Sequence, residues 1–317
     1  MGVDLTRVYT AAWRHAPRVP EPLLRAAFTL AADVTWLLRT EGVRRMEANY
    51  ARVRPELDAR AVRRLARAGM RSYMRYFREA FTLQGATPEQ LEARVRIEGY
   101  ENIADDVAAG RGVALALAHL GNWDLAGAYC SPRLAPVLTV AERLKPEALF
   151  QEFVAFRRSL GIEVLPLGDG DVFRGLVRGV TSGGMLVPLL ADRDLTARGV
   201  EVDLCGHRAR VAAGPAALAL AARVALVPVS VTYERLRGER RRAAGTPWGT
   251  VVHYLPAVPV PDGDRRTQVA AMTQAWVDVL ARVLREHTED WHMLQKVFVE
   301  DLDPERYART KVEAGEA

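Results

Sequence analysis

The stretch VALALAHLGNWDLAG, residues 113–127, decides how the chain is read. An apolar run of strand length ends on His119. Gly121 and Asn122 then supply a sharp turn and a helix N-cap, so the run reads as a buried strand entering a helix. This junction puts Asp124 in the first helical turn. Two readings are open from the residues alone. Folded back onto the imidazole, Asp124 would fix one ring nitrogen and leave the other to accept a proton from a hydroxyl. Otherwise His119 satisfies buried backbone and Asp124 is a favourable charge at a helix start.

The flanking pattern extends the first half of this reading. Strands are expected at 113–119, 136–141, 162–166, 185–191, 201–211, 226–234 and 250–258. Helices are expected at 122–131, 146–160, 171–182, 214–224 and 265–288. Short apolar strands alternating with helices imply an α/β fold with a mixed, largely parallel central sheet flanked by helices. The strands from 201 onward leave room for antiparallel pairs. Before residue 95 the pattern is helical, at 4–15, 21–39, 42–53 and 57–83. The chain is therefore read as one unit over 1–317: a mainly helical, membrane-facing region at 1–94, an α/β core at 95–300, and a polar, frayed tail at 301–317.

Composition narrows the classes of function. With 317 residues and 49% hydrophobic content, the chain can bury a large core, and general disorder is excluded. A formal charge of +5 suits an anionic partner. The arginines are dispersed without an RNA or DNA motif, so no nucleic acid is expected. Cys130 and Cys205 lie in apolar contexts without ligand spacing and read as core thiols, and no metal site is expected. No secretory leader is evident, so the active surface is expected on the cytoplasmic side. Residues 21–42, EPLLRAAFTLAADVTWLLRTEG, group Leu23, Leu24, Phe28, Leu30, Val34, Trp36, Leu37 and Leu38 around a helix interrupted by Arg25 and Asp33. A span needs about 20 predominantly apolar residues, so this is an interfacial or core-packing helix. Tyr9 and Trp13 beside Arg7, Arg14 and Arg18 add the mixture that lies on an anionic bilayer, and a peripheral enzyme on the cytoplasmic face of the cell membrane is expected.

Five ordered blocks carry a resemblance: LALAHLGNWDLAG, TVAERLKPEALFQEFVAFRRSLGIEVLPL, LLADRDLTARGVEVDLCG, VAAGPAALA and EDWHMLQ. Together they resemble the glycerolipid acyltransferase superfamily, in its branch of bacterial lipid A late acyltransferases, and more closely the actinobacterial phosphatidylinositol mannoside acyltransferases. The resemblance implies transfer of a fatty acyl chain, palmitoyl being expected, from acyl-CoA as co-substrate and with no cofactor. The implied acceptor is a mannosylated phosphatidylinositol, at the 6-hydroxyl of the mannose on inositol position 2. His119 would be the general base and Asp124 its orienting carboxylate.

The same resemblance suggests further partners. Glu142, just past a strand end, would hold a sugar hydroxyl, and Arg143 would pair with a carboxylate or phosphate, a surface ion pair being the alternative. Asp192 and Arg193 repeat the strand-end position. Related enzymes often carry Glu at the first of these, one methylene longer. An arginine on the helix at 146–160, Arg157 or Arg158, is expected to meet phosphate, with a solvated helix face still open for Arg158. His292, His207 and His253 read as structural. The stripe Phe150, Phe153 and Phe156 lines an acyl tunnel or packs the core. Three other classes compete. A metal-dependent hydrolase would need a compact ligand cluster, which the sequence lacks. A lipid-binding module would explain the charge without chemistry. An acyltransferase of the same mechanism acting on another glycolipid or glycerolipid is the nearest alternative.

Overall fold

The computed structural model describes residues 15–143, 145–168 and 171–313. Among the described residues, the α-helices α1 (Glu21–Leu37), α2 (Glu41–Val53), α3 (Ala59–Leu83) and α4 (Pro88–Arg94) precede β1 (Val95–Glu98). Then α5 (Ala104–Ala108), β2 (Val113–Leu117), α6 (Trp123–Arg133), β3 (Val137–Ala141), α7 (Glu147–Ser159), β4 (Ile162–Pro166), α8 (Val172–Ser182) and β5 (Leu186–Leu190) alternate. They are followed by β6 (Gly199–Leu204), β7 (His207–Ala212), α9 (Gly214–Ala222), β8 (Leu226–Arg235), α10 (Gly238–Ala244), β9 (Trp248–Tyr254), α11 (Arg265–Glu286) and α12 (Pro304–Glu313).

The decisive run becomes β2, in the middle of a sheet ordered β1-β9-β8-β2-β5-β3-β4. β8 and β9 pair antiparallel, and the other described pairs of this sheet are parallel. The largely parallel α/β reading therefore holds. Every residue of β2 is buried, as a strand covered on both faces requires. Val113, Leu115 and Leu117 enter one core with Leu125 and Phe156. Ala114 and Ala116 enter the other, beneath Leu176, Leu218 and Trp276. Small side chains on the second face let helices approach closely. On the first, each leucine contributes roughly 1.5–3 kcal/mol on burial.

Three expectations need correction. The strand expected at 201–211 is a hairpin, because Cys205 and Gly206 both take positive φ, 58° and 88°. A two-residue turn of that hand matches the twist of the paired strands. Cys205 thus sits half-buried at a turn rather than in the core, while Cys130 is buried. The tail is not simply frayed, since α12 is held where Tyr307 donates to Glu201 and Arg208 donates to Tyr307 Oη at 3.0 Å. The helix expected at 4–15, with Tyr9 and Trp13, lies outside the described residues.

Helix α1 carries its apolar residues outward as well as inward. Leu23, Leu30, Val34, Leu37 and Leu38 are exposed, although Leu24 is buried. Asp33, one of the charges that argued against a span, receives bidentate hydrogen bonds from both Arg67 and Arg71 of α3, at 2.6 to 3.0 Å. Those hydrogen bonds hold its carboxyl well below the usual range. Among the described residues no helix is long and apolar enough to cross a membrane.

Candidate active site

The register of two parallel strands assembles the centre of the site. Leu117 of β2 stands opposite Leu190 of β5. Two residues further along each chain, beyond the carboxyl ends where ligands usually bind in such sheets, His119 meets Asp192. Asp192 Oδ1 lies 2.7 Å from His119 Nδ1. Asp192 Oδ2 accepts the His119 backbone N–H at 3.0 Å and the Trp291 Nε1–H at 2.8 Å. The carboxylate is fully buried, so these donors replace its lost water.

The hydrogen bond fixes the tautomer. Nδ1 donates to Asp192, which leaves the Nε2 lone pair available on the open side, where 40% of the His119 side chain is exposed. Burial pulls the imidazole pKa down, but the Asp192 charge and hydrogen bond outweigh it, and the net direction is up from 6.5. Asp192 moves the opposite way. Burial raises its carboxyl, His119 and the other donors more than offset that, and the net direction is down.

Asp124 does not turn back onto His119. It is buried in the first turn of α6, where Oδ2 accepts from Tyr76 Oη at 2.7 Å and Oδ1 from Arg157 Nε at 2.8 Å. Helix geometry explains the correction. The Asn122 cap sets α6 running away from the strand end, so its first turn faces α3 and α7 instead. Arg157 pairs with this carboxylate, whereas Arg158 is on the exposed face of α7. Glu142 is exposed past β3, and Arg143 donates to Glu147 at 3.1 Å in a surface ion pair. Arg193 stays beside the centre, where its Nε donates to Lys296 O at 3.0 Å and its charge opposes protonation of His119.

The turn itself is built by contacts that sequence reading missed. Gly121 has φ +61°, and a Cβ there would fall 2.2 Å from Val231 O, so backbone conformation and space both select glycine. Asn122 caps α6 by accepting from Leu125 N at 2.9 Å, while its Nδ2 donates to Glu79 Oε2 at 2.7 Å. Glu79 also accepts from Arg78 and pairs with Arg94, so a buried carboxylate anchors the junction to the helical region. Ser72, Tyr76 and Glu79 are polar residues at i, i+4 and i+7, and all three are buried on one face of α3. Polar residues recurring at core-face spacing were the available signal.

A second histidine closes the back of the site. His292 N donates to His119 O at 2.7 Å, and Gly121 N donates to Asp290 O at 2.9 Å. Ser72 Oγ donates to Asp290 Oδ1 at 2.8 Å, so the Ser72 contact at 3.1 Å makes His292 Nε2 the donor. Burial, then the Arg75 and His119 charges, hold His292 down to about 3.

Beside this centre a mostly apolar cavity is lined by Leu115, Leu117, Val229, Val231 and Val252, with Asp124 and Arg157. Trp123 lines it and also packs edge-on against His119, with centroids 5.6 Å apart. Phe150 and Phe156 pack in the core and are not in its wall.

Known proteins show the same pattern over most of the chain. The family described as bacterial lipid A biosynthesis acyltransferase matches residues 4–300. The phosphatidylinositol mannoside acyltransferase of Mycolicibacterium smegmatis is 39% identical over 303 residues, covering 95% of this chain and 93% of that one. Its counterpart from Mycobacterium tuberculosis strain H37Rv is 38% identical over 307 residues, covering 96% and 91%.

Proposed function

The chain belongs to the bacterial lipid A biosynthesis acyltransferase family, and on that premise we propose that it transfers a fatty acyl chain, palmitoyl, from acyl-CoA to a phosphatidylinositol mannoside. The acceptor atom is the 6-hydroxyl of the mannose on inositol position 2. The observation that carries the mechanism is the His119–Asp192 pair, which engages Nδ1 and leaves Nε2 as a base.

A sugar hydroxyl is a poor nucleophile at neutral pH and a thioester carbonyl a good electrophile, so a positioned base is the missing ingredient. His119 Nε2 takes the hydroxyl proton as oxygen bonds to the carbonyl carbon. The carbon–sulfur bond then breaks, and the proton passes from His119 to the departing thiolate. Asp192 stabilises the transient imidazolium. No acyl-enzyme and no cofactor enter this scheme. The Asp124–Arg157–Tyr76 cluster fixes the entrance of α6 and one wall of the cavity, whose apolar lining suits an acyl chain.

The exposed apolar stripe of α1 supports peripheral contact with a membrane, and the anionic cytoplasmic face is the surface proposed for it. The acceptor's own acyl tails then stay in the bilayer. Mass spectrometry of purified phosphatidylinositol mannosides incubated with palmitoyl-CoA tests the reading. The expected product gains one acyl group and is absent with His119→Ala. Acylation of a different glycolipid or glycerolipid alone would keep the mechanism and replace the acceptor.

A further inference from the structure

Two arginines outside the proposed catalytic centre share one indole. The Arg75 guanidinium carbon lies 3.5 Å from the Trp248 ring centroid and 4.4 Å from that of Tyr233. Arg235 lies 3.9 Å from the same Trp248 ring. Stacking of this kind satisfies the ring faces but leaves the in-plane N–H donors unused. Among the described residues, neither guanidinium makes an ion pair or hydrogen bond.

The neighbouring carboxylates are already engaged. Asp290 accepts from Ser72 Oγ and Tyr233 N, both at 2.8 Å. Glu79 is held by Arg78, Arg94 and Asn122. Glu234, on the alternate face of β8, pairs with Arg96 and Arg240. Neither cation has a direct ionic partner among the described residues, and an anion reaching their free edges would supply one. Arg75 is partly buried and Arg235 exposed, and the Arg75 nitrogens are absent from the buried unpaired atoms, so a ligand can reach both.

The cluster stands on the working side of the sheet. β8 runs parallel to β2, and Arg235 pairs with Trp248 at the end where β2 delivers His119. Asp290 links the two places, since its carbonyl accepts from Gly121 N and its carboxylate from Tyr233 N. Arg75 and His119 also both act electrostatically on His292.

We propose that Arg75 and Arg235, stacked on Trp248, form a phosphate-binding subsite that anchors a substrate phosphate while His119 acts at the reacting end. The inference rests on the acyl-transfer reading for its substrates. Two of them carry the required chemistry: the donor has a pyrophosphate and a 3′-phosphate, and the acceptor has a phosphodiester.

The test is titration calorimetry with free CoA, glycerophosphoinositol and inorganic pyrophosphate against wild type, Arg235→Ala and Arg75→Lys. Thermal unfolding confirms that each variant folds, and the exposed Arg235 keeps the test alive should Arg75→Lys fail. Lysine retains charge but not the planar stacked fork, so weakening is expected in both variants. A loss of about tenfold or more in CoA affinity with glycerophosphoinositol unchanged supports the subsite and assigns it to the donor. The reverse pattern supports it and assigns the acceptor's phosphodiester. Affinity of all three probes equal to wild type in the folded variants overturns it. Pyrophosphate binding that falls in the variants of a protein unable to transfer acyl groups would retain the subsite and reject the acyl-transfer reading.

Discussion

His119 and His292 stand on adjacent segments, the two residues linked directly by a backbone hydrogen bond of 2.7 Å, yet their surroundings drive them in opposite directions. Burial disfavours the protonated form of both. At His119 a buried carboxylate reverses that effect, and the imidazole titrates above 6.5. At His292 the side-chain partner is a neutral hydroxyl, two cations lie nearby, and the ring stays neutral down to about 3. The contrast shows that depth alone does not make a base. What matters is a charged partner on one ring nitrogen and an open approach to the other.

The largest expected effect breaks the comparison at its functional member. His119→Ala should lower turnover by about 10²–10⁴-fold, the range typical of a general base, in a protein that thermal unfolding shows to be still folded. His292→Gln should retain far more activity. Equal losses in steady-state assays would show that the two histidines do not differ in role. Asp192→Asn sharpens the same point. It removes the charge that raises His119, so its loss should approach that of His119→Ala, and the double variant should lose little more than either alone. Wild-type activity should fall as pH drops through a value above 6.5, because the base must be neutral. In the residual activity of Asp192→Asn that fall should move to lower pH; an unmoved profile would remove Asp192 from the electrostatic account.

A second pair of groups extends the comparison to carboxylates. Asp192 serves the open imidazole, while Asp124 serves a guanidinium whose side chain is 13% exposed. Asp124→Ala leaves Arg157 buried without that partner, and breaking a buried pair in this way costs about 3–5 kcal/mol. Denaturant unfolding should show that loss. Asp124→Leu combined with Arg157→Met should recover part of it, since no charge is then stranded. If Asp124→Ala were as stable as wild type but inactive, Asp124 would belong to the chemistry after all.

The sequence made the fold legible where periodicity is local. The alternation around β2 and the cap at Asn122 mark element boundaries without help from distant residues. His119 was legible as well, because strand, glycine and cap stand in one continuous stretch. The identity of its partner was not. Asp124 and Asp192 are equally reasonable along the chain, and only the β2–β5 register brings the residue 73 positions away into contact. Spacing within the motif suggested a pair that helix direction prevents. Ser72, Glu79 and Asp290 escaped notice for a related reason, each being an ordinary polar residue until three segments converge on it.

The smallest expected effect separates the two histidines by stability rather than rate. In the unfolded chain His292 takes up a proton below about 6.5, but in the folded chain it stays neutral until about 3. The unfolded state therefore binds more protons in that interval, and folding stability falls as pH falls, by about 1.4 kcal/mol per pH unit. His119 behaves oppositely: its folded pKa is raised, so its stabilising contribution is fully present below 6.5 and is lost as pH rises through the folded value. Between pH 6.5 and 5 the His119 contribution is nearly constant and most carboxylates remain ionised, which isolates His292. In that window the stability of His292→Gln relative to wild type should improve by about 2 kcal/mol as the pH is lowered, measured by denaturant unfolding at each pH. Parallel stability curves would mean that His292 charges freely in the folded protein. The buried hydroxyl contact with Ser72 would then be no barrier to protonation, and the contrast with His119 would rest on access alone.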